Sequence, residues 1–271
     1  MDDDGLLDDA LLDDALLDGV TRAVSDAGRV LLERFSTANR VDDAASLLAA
    51  IDANDAASTA VLRPALERLA ADVRWDDDEE GHGVLGPGAW WVTDAAEGNV
   101  NHVHGSPDWG VTATLVREDV PVLTVVALPA LGQVFTAVRG MGARLNGEPV
   151  TVSAKSELSA ALVGTGQAKP GEDPAVRRRM STSIDRMLDA ALLVSATVPA
   201  NLQLVQVAAG HTDAFWQEGQ VRSGLVAGAL LVAEAGGAVI DSTGAPWTLA
   251  SADFIATNQG LGPAVAAVLA R

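Results

Sequence analysis

Residues 89–110 read Ala-Trp-Trp-Val-Thr-Asp-Ala-Ala-Glu-Gly-Asn-Val-Asn-His-Val-His-Gly-Ser-Pro-Asp-Trp-Gly. The apolar run Trp90-Trp91-Val92 predicts a short buried strand. Asp94 and Glu97 stand at its end, followed by Gly98, Asn99 and Asn101. Water solvates a carboxylate well, so a site that gathers two of them supplies a cation or a shared proton. The alternative is a pair of helix caps on a loop, since Asp and Asn favour such positions. This stretch alone leaves the two readings level.

Composition narrows the class. The chain has 271 residues, enough for one large domain or two intimate halves. Without cysteine there is no disulfide framework, thiol nucleophile or thiolate metal site. A net charge of −19 would repel a nucleic-acid backbone, so no nucleic-acid partner is expected. A solvated surface explains that acidity without an acid-specific function. No apolar run is long enough to span a bilayer, and the acidic start Met-Asp-Asp-Asp-Gly is unlike a basic secretory signal. A cytoplasmic protein without a membrane partner is the expectation.

Outward from the quoted stretch, Gly5–Gly19 is a near-repeat, GLLDD-ALLDD-ALLDG. Steps of five residues scatter its leucines around a helix axis, so residues 1–19 are expected to form an acidic Leu-rich leader. Val20, Val24, Ala27, Leu31 and Phe35 predict a first helix. Asp52 is expected to cap a second, running to about Ala71 and kinked or divided at Pro64. Asp76 to Glu80 are five consecutive acids. After residue 110, β-branched runs separated by turn signals at Arg117–Asp119, Gly140 and Asn146-Gly147 predict an antiparallel meander closing near Val152. From residue 153 strands and helices alternate, which predicts a mixed sheet flanked by helices.

The order Trp-x-x-Asp-x-x-acid-Gly-x-x-Asn-x-x-x-Gly resembles the signature of the inositol monophosphatase family, W-I-D-P-I-D-G-T-x-N-F-x-x-G. Asp94, Gly98, Asn101 and Gly105 match, while Glu97, Ala95 and Asn99 replace the family's second Asp, its Pro and its Thr. GARLNGEPV, TDAFWQEG and VAGALLVAEAGG resemble later family passages in the same order, so the likeness covers the chain from about Val20. It implies a layered αβαβα sandwich, with an N-terminal half (20–152) carrying the acidic site and a C-terminal half (153–271). It also implies a homodimer acting on a small-molecule substrate.

Residue by residue, the likeness implies Glu79 or Glu80, Asp94 and Glu97 as ligands of at most one magnesium ion. It places Asp52 behind the nucleophilic water and Asn99 where the family's Thr polarises that water. The family's metal-binding Asp in W-D-V-A-G meets Gly224-Leu225-Val226-Ala227-Gly228, and Leu225 cannot bind a cation. Glu218 matches a position that contacts substrate hydroxyls. Asn201 and Gln203 fall in the family's substrate-recognising run, beside Gly98 as a binding residue. His102, standing for a Phe, and His104 are candidates for acid–base work, against the alternative of ordinary loop histidines.

Three functions follow. The first is an enzyme whose altered site performs non-hydrolytic chemistry on a small molecule. The second is a weakened magnesium-dependent phosphatase of small sugar or nucleotide phosphomonoesters. The third is a non-catalytic binding protein. Leu225 in place of a metal-binding Asp argues against the second and favours the first.

Overall fold

A computed structural model describes residues 14–78, 81–167, 171–219 and 221–270. Helix α1 (Asp14–Arg34) buries Val20, Val24, Ala27 and Leu31, the spacing that puts side chains on one helical face. It already includes Asp14–Gly19, so the leader expected to reach residue 19 shares its last turn with this helix. The rest of the repeat lies outside the described residues. Helix α2 (Ala44–Leu69) is capped by Asp43, whose side chain accepts from Ser46 N at 2.7 Å. Asp52 therefore sits inside the helix and caps nothing. The helix runs undivided through Pro64.

The first sheet has seven strands in sequence order. They are β1 (Arg74–Trp75), β2 (Ala89–Glu97), β3 (Gly110–Arg117), β4 (Val120–Leu128), β5 (Gln133–Val138), β6 (Ala143–Leu145) and β7 (Glu148–Pro149). All pairings are antiparallel except that of β1 with β2, which makes the sheet mixed at one edge. Between β2 and β3 lies the five-residue helix α3 (Asn99–Val103). β3 and β4 are buried on both faces, which explains their nearly continuous apolar sequence. Val111, Ala113, Leu115, Leu123 and Val125 pack under α1 and α2. Val126, Leu128 and Phe135 face the opposite layer.

That opposite layer is a helix pair, α5 (Ala200–Ala208) and α6 (Arg222–Glu234). Its apolar side chains, including Leu204, Val205, Leu225 and Leu231, fill the space between the two sheets. The second sheet contains β8 (Leu162–Thr165), β9 (Leu193–Ala196), β10 (Ala214–Glu218), β11 (Ala238–Ile240) and β12 (Asp253–Thr257), in the order β11-β12-β10-β8-β9. Strand alternation splits β10 between layers: Phe215 faces α5 and α6, whereas Ala214 and Trp216 face α4 (Pro174–Leu188) and α7 (Gly262–Leu269). The result is five layers, αβαβα.

Candidate active site

The second sheet selects a crevice by its topology. β8, β9 and β10 run parallel, and β9 lies on one side of β8 while β10 lies on the other. The chain leaves β8 through α4, on one face, to reach β9; it then returns through α5, on the other face, to reach β10. Where crossovers diverge in this way, a cleft opens beyond the carboxyl ends of the strands. A cavity of about 270 Å³ lies there, lined by His82, Thr165, Gln167, Glu172, Gln217 and Glu218 among others. Glu218 sits at its edge with Arg179 Nε 3.6 Å away. Burial pushes the Glu218 carboxyl above the usual range, and Asp253 adds to this against the pull of Arg179 and Ser183.

β2 does not stop before its acids. It continues to Glu97, with a register irregularity between Asp94 and Glu97 where Ala95 and Ala96 oppose the single Val111. Asp94 is half-buried, and its Oδ1 accepts from Ala96 N at 3.0 Å. Glu97 is 4% exposed, and its Oε2 accepts from Asn201 Nδ2 at 2.6 Å. Asn201 is itself fully buried; it also donates to Ser223 O at 2.9 Å and accepts from Gly228 N at 3.1 Å. It thus fastens β2 to the start of α6 and does not present its amide to a ligand. Gly98 follows at φ 72°, where an added Cβ would lie 2.8 Å from Asp108 O and 2.9 Å from the Pro199 ring. Its contribution is the sharp turn into α3, which no other residue fits.

Asn99 and His102 belong to a buried polar chain that the sequence does not announce. Arg34 Nε donates to Asn54 Oδ1 at 2.8 Å. Since guanidinium only donates, this fixes the Asn54 amide. Its Nδ2 then donates to Asn99 Oδ1 at 2.9 Å and to His102 Nδ1 at 3.0 Å. Asn99 Nδ2 in turn donates to Ile51 O at 3.0 Å and Asp55 Oδ1 at 3.1 Å. His102 Nδ1 accepts, so Nε2 carries the hydrogen and donates to Leu31 O at 2.8 Å.

Both Asn99 amide hydrogens are thereby engaged, and neither is free to polarise a water. Asp55, rather than the exposed Asp52, is the carboxylate that meets Asn99. His102 is 3% exposed and packed edge-on against Phe35 and Trp109. Burial lowers its pKa; the Leu31 carbonyl opposes this and the Arg34 charge adds to it. Its place is in the core on α3, neither at a loop surface nor facing the crevice. His104 is exposed at the end of α3, with Nδ1 donating to Val100 O at 2.7 Å. Gln203 spends its amide on Thr165 O and Thr197 O at 2.9 and 2.7 Å, holding the ends of β8 and β9.

The residue that the sequence reading missed is Arg222, in the first turn of α6. Nε and Nη2 bind the two oxygens of Asp76 at 2.7 and 2.8 Å. Nη1 donates to His82 O at 2.6 Å and Gly83 O at 3.2 Å, and Arg222 N donates to Gly81 O at 2.9 Å. A buried guanidinium thus clamps the acid-rich segment onto α6. The available signal was a lone arginine heading an apolar helix, opposite five acids that need a partner. Leu225 is 0% exposed and points into the layer between the sheets. One residue earlier, a Cβ built on Gly224 meets nothing within 4 Å, so Gly224 is the first-turn position that opens outward.

These donors can be tested against magnesium, which takes oxygen ligands in near-ideal octahedral geometry. Among the described residues no three of His, Asp and Glu come together in a way that could hold a metal ion. Asp94 and Glu97 offer two carboxylates on β2, and the first turn of α6 adds Gly224 and Leu225, neither of them a ligand. Glu79 and Glu80 lie outside the described residues. The described set does not fit the ion.

Comparison with known proteins is consistent across sequence and structure. The sequence profile of the inositol monophosphatase family matches residues 13–271. The chain is 32% identical over 195 residues to inositol-1-monophosphatase of Rhizobium meliloti, covering 71% of this chain and 73% of that protein. It is 37% identical over 191 residues to the Nus factor SuhB of Pseudomonas aeruginosa, covering 66% and 68%. With inositol monophosphatase 2 of tomato it shares 35% over 175 residues, 63% of this chain and 64% of that protein's length. The solved inositol monophosphatase of Anabaena superposes with a TM-score of 0.79 at 28% identity, covering 94% of this chain and 95% of the other. A profile matched along nearly the whole chain, on a five-layered fold shared with those structures, makes this chain a member of the inositol monophosphatase family.

Proposed function

We propose that this family member acts on a small, uncharged or amine-bearing polyhydroxyl molecule by non-hydrolytic proton transfer, without magnesium-dependent release of phosphate. The observation that carries this reading is the Arg222 clamp. The cation beside the acidic segment is a guanidinium already engaged by Asp76 and two carbonyls. It leaves the described crevice lined with Glu172, Glu218 and amides, with the nearby Arg179 drawn to Glu218, a setting that favours hydroxyls over a phosphomonoester. Glu218 retains its proton to higher pH than an exposed glutamate. Such a group can exchange a proton with a bound molecule. Thr165 and Gln217, also on the crevice wall, supply donors and acceptors for hydroxyls.

Two measurements test the reading. Magnesium titration with an inositol phosphate should release phosphate at least about 10³-fold more slowly than a family member with a full metal site, since a bound metal contributes several kcal/mol of charge stabilisation. Calorimetry with free inositol should show binding that Glu218→Gln abolishes. Robust magnesium-dependent turnover would replace this reading with that of a working phosphatase. The homodimer and the cytoplasmic setting expected from the sequence stay proposals too. Exposed Leu188, Leu192 and Leu193, at and before the edge strand β9, support the first. Among the described residues no helix is long and apolar enough to cross a membrane.

A further inference from the structure

The polar chain ends at the surface in a second cavity. It measures about 370 Å³ and is lined by Arg34, Asn39, Arg40, Asn54 and His102, with Val41, Ala50 and Val103 completing the wall. Two guanidiniums facing one cavity are unusual in a chain of net charge −19. Neither forms an ion pair among the described residues. The nearest acids in sequence are engaged elsewhere or exposed: Glu33 pairs with Arg29, and Asp43 caps α2. Asp42 is exposed.

The local geometry holds both arginines in place. Arg40 Nη1 donates to the carbonyls of Thr37, Asn39 and His104, which holds its guanidinium at the cavity wall. Arg34 is anchored through Nε on Asn54, so its two terminal nitrogens remain for a ligand. The floor is Asn54 and His102, both buried and fully hydrogen-bonded.

We propose that this cavity is an oxyanion-binding site, taking a phosphate or carboxylate head between Arg34 and Arg40. Planar guanidinium forks match such heads with paired, charge-assisted hydrogen bonds, and the ligand supplies the negative charge that these two arginines lack locally. The apolar remainder of the wall leaves room for a small organic body behind the head. Because Arg34 sets the polarity of the Asn54 amide, an anion on Arg34 holds the whole chain to Asn99, which adjoins Gly98 and Glu97. The site is therefore connected to β2 without sharing a residue with the crevice at β8 and β10.

Calorimetric titration of the full chain with inorganic phosphate, and separately with acetate, tests this at constant ionic strength. Saturable binding of phosphate or of both is expected, and the two arms show which head is preferred. Arg40→Gln leaves the buried chain intact and should weaken binding roughly tenfold or more, the loss of a charge-assisted contact. Arg34→Gln should do the same, while Arg68→Gln, on exposed helix surface, should change nothing. The imidazole resonances of His102 should move on titration of the wild type, and only at correspondingly higher phosphate in Arg40→Gln. Glu218→Gln should bind phosphate normally, which separates this test from that of the crevice. Absence of saturable binding to the wild type, or undiminished binding in the Arg34→Gln/Arg40→Gln double variant, would overturn the proposal.

Discussion

The first turn of α6 offers a sharp test, because adjacent residues there should respond in opposite ways to the same substitution. Leu225→Asp would put a carboxylate at a position with no exposure, among Leu204, Val205 and their neighbours. Truncating a buried leucine costs about 2–5 kcal/mol from lost transfer and the cavity left behind. The carboxyl adds at least about 1–3 kcal/mol for an unsatisfied polar group, even after it takes up a proton. The total, roughly 3–8 kcal/mol, is a large part of the 5–15 kcal/mol that holds most domains folded. Gly224→Asp adds its Cβ to open space, at the third residue of the helix. Losing a helical glycine and placing an anion near the N-terminus should stabilise by about 0.5–1 kcal/mol. Urea denaturation should therefore show Leu225→Asp strongly shifted to lower midpoint, or insoluble, and Gly224→Asp unchanged or shifted upward at equal slope. A well-folded Leu225→Asp beside an unfolded Gly224→Asp would refute the assignment of inward and outward faces. If the outward face is right, restoring a metal carboxylate requires Gly224→Asp. Combined with Glu97→Asp and Asn99→Thr it should raise magnesium affinity, which Leu225→Asp cannot do.

Other consequences follow from the buried polar groups. Arg222→Leu leaves Asp76 buried without its guanidinium and should cost about 3–5 kcal/mol by urea denaturation; a loss below about 1 kcal/mol would mean the clamp is slack. Asn201→Ala unties Glu97, Ser223 O and Gly228 N together, so at least about 2 kcal/mol should be lost in the same assay. His102 is held neutral: its folded pKa lies below the unfolded value of about 6.5, so the unfolded chain binds the extra proton. Its share of stability is complete above that value and declines as pH falls below it. The fall between pH 7 and pH 5 should accordingly be steeper for the wild type than for His102→Phe, and equal slopes would contradict the assignment. Leu193→Asp should shift sedimentation toward monomer if the β9 edge joins two copies.

Family, layer order and most elements were legible in the sequence because they rest on local, periodic signals. Val20, Val24, Ala27 and Leu31 mark one helical face, the β-branched runs mark β3 to β5, and alternation marks the second sheet. The acids of the quoted stretch gave the family, since their order survives substitution. What each candidate side chain does was decided only in three dimensions. Asn99 and His102 were each candidates for catalysis along the chain, yet Asn54, 45 and 48 residues away, engages both in the core. Arg222 meets Asp76 across 146 residues, a pairing no spacing could reveal. Leu225 and Gly224 are neighbours in sequence, but a helix turns about 100° per residue, and only packing against β4 and α5 shows which one faces inward. Hydrogen-bond polarity also starts from a tertiary contact: Arg34 donates, and every amide and imidazole downstream must follow.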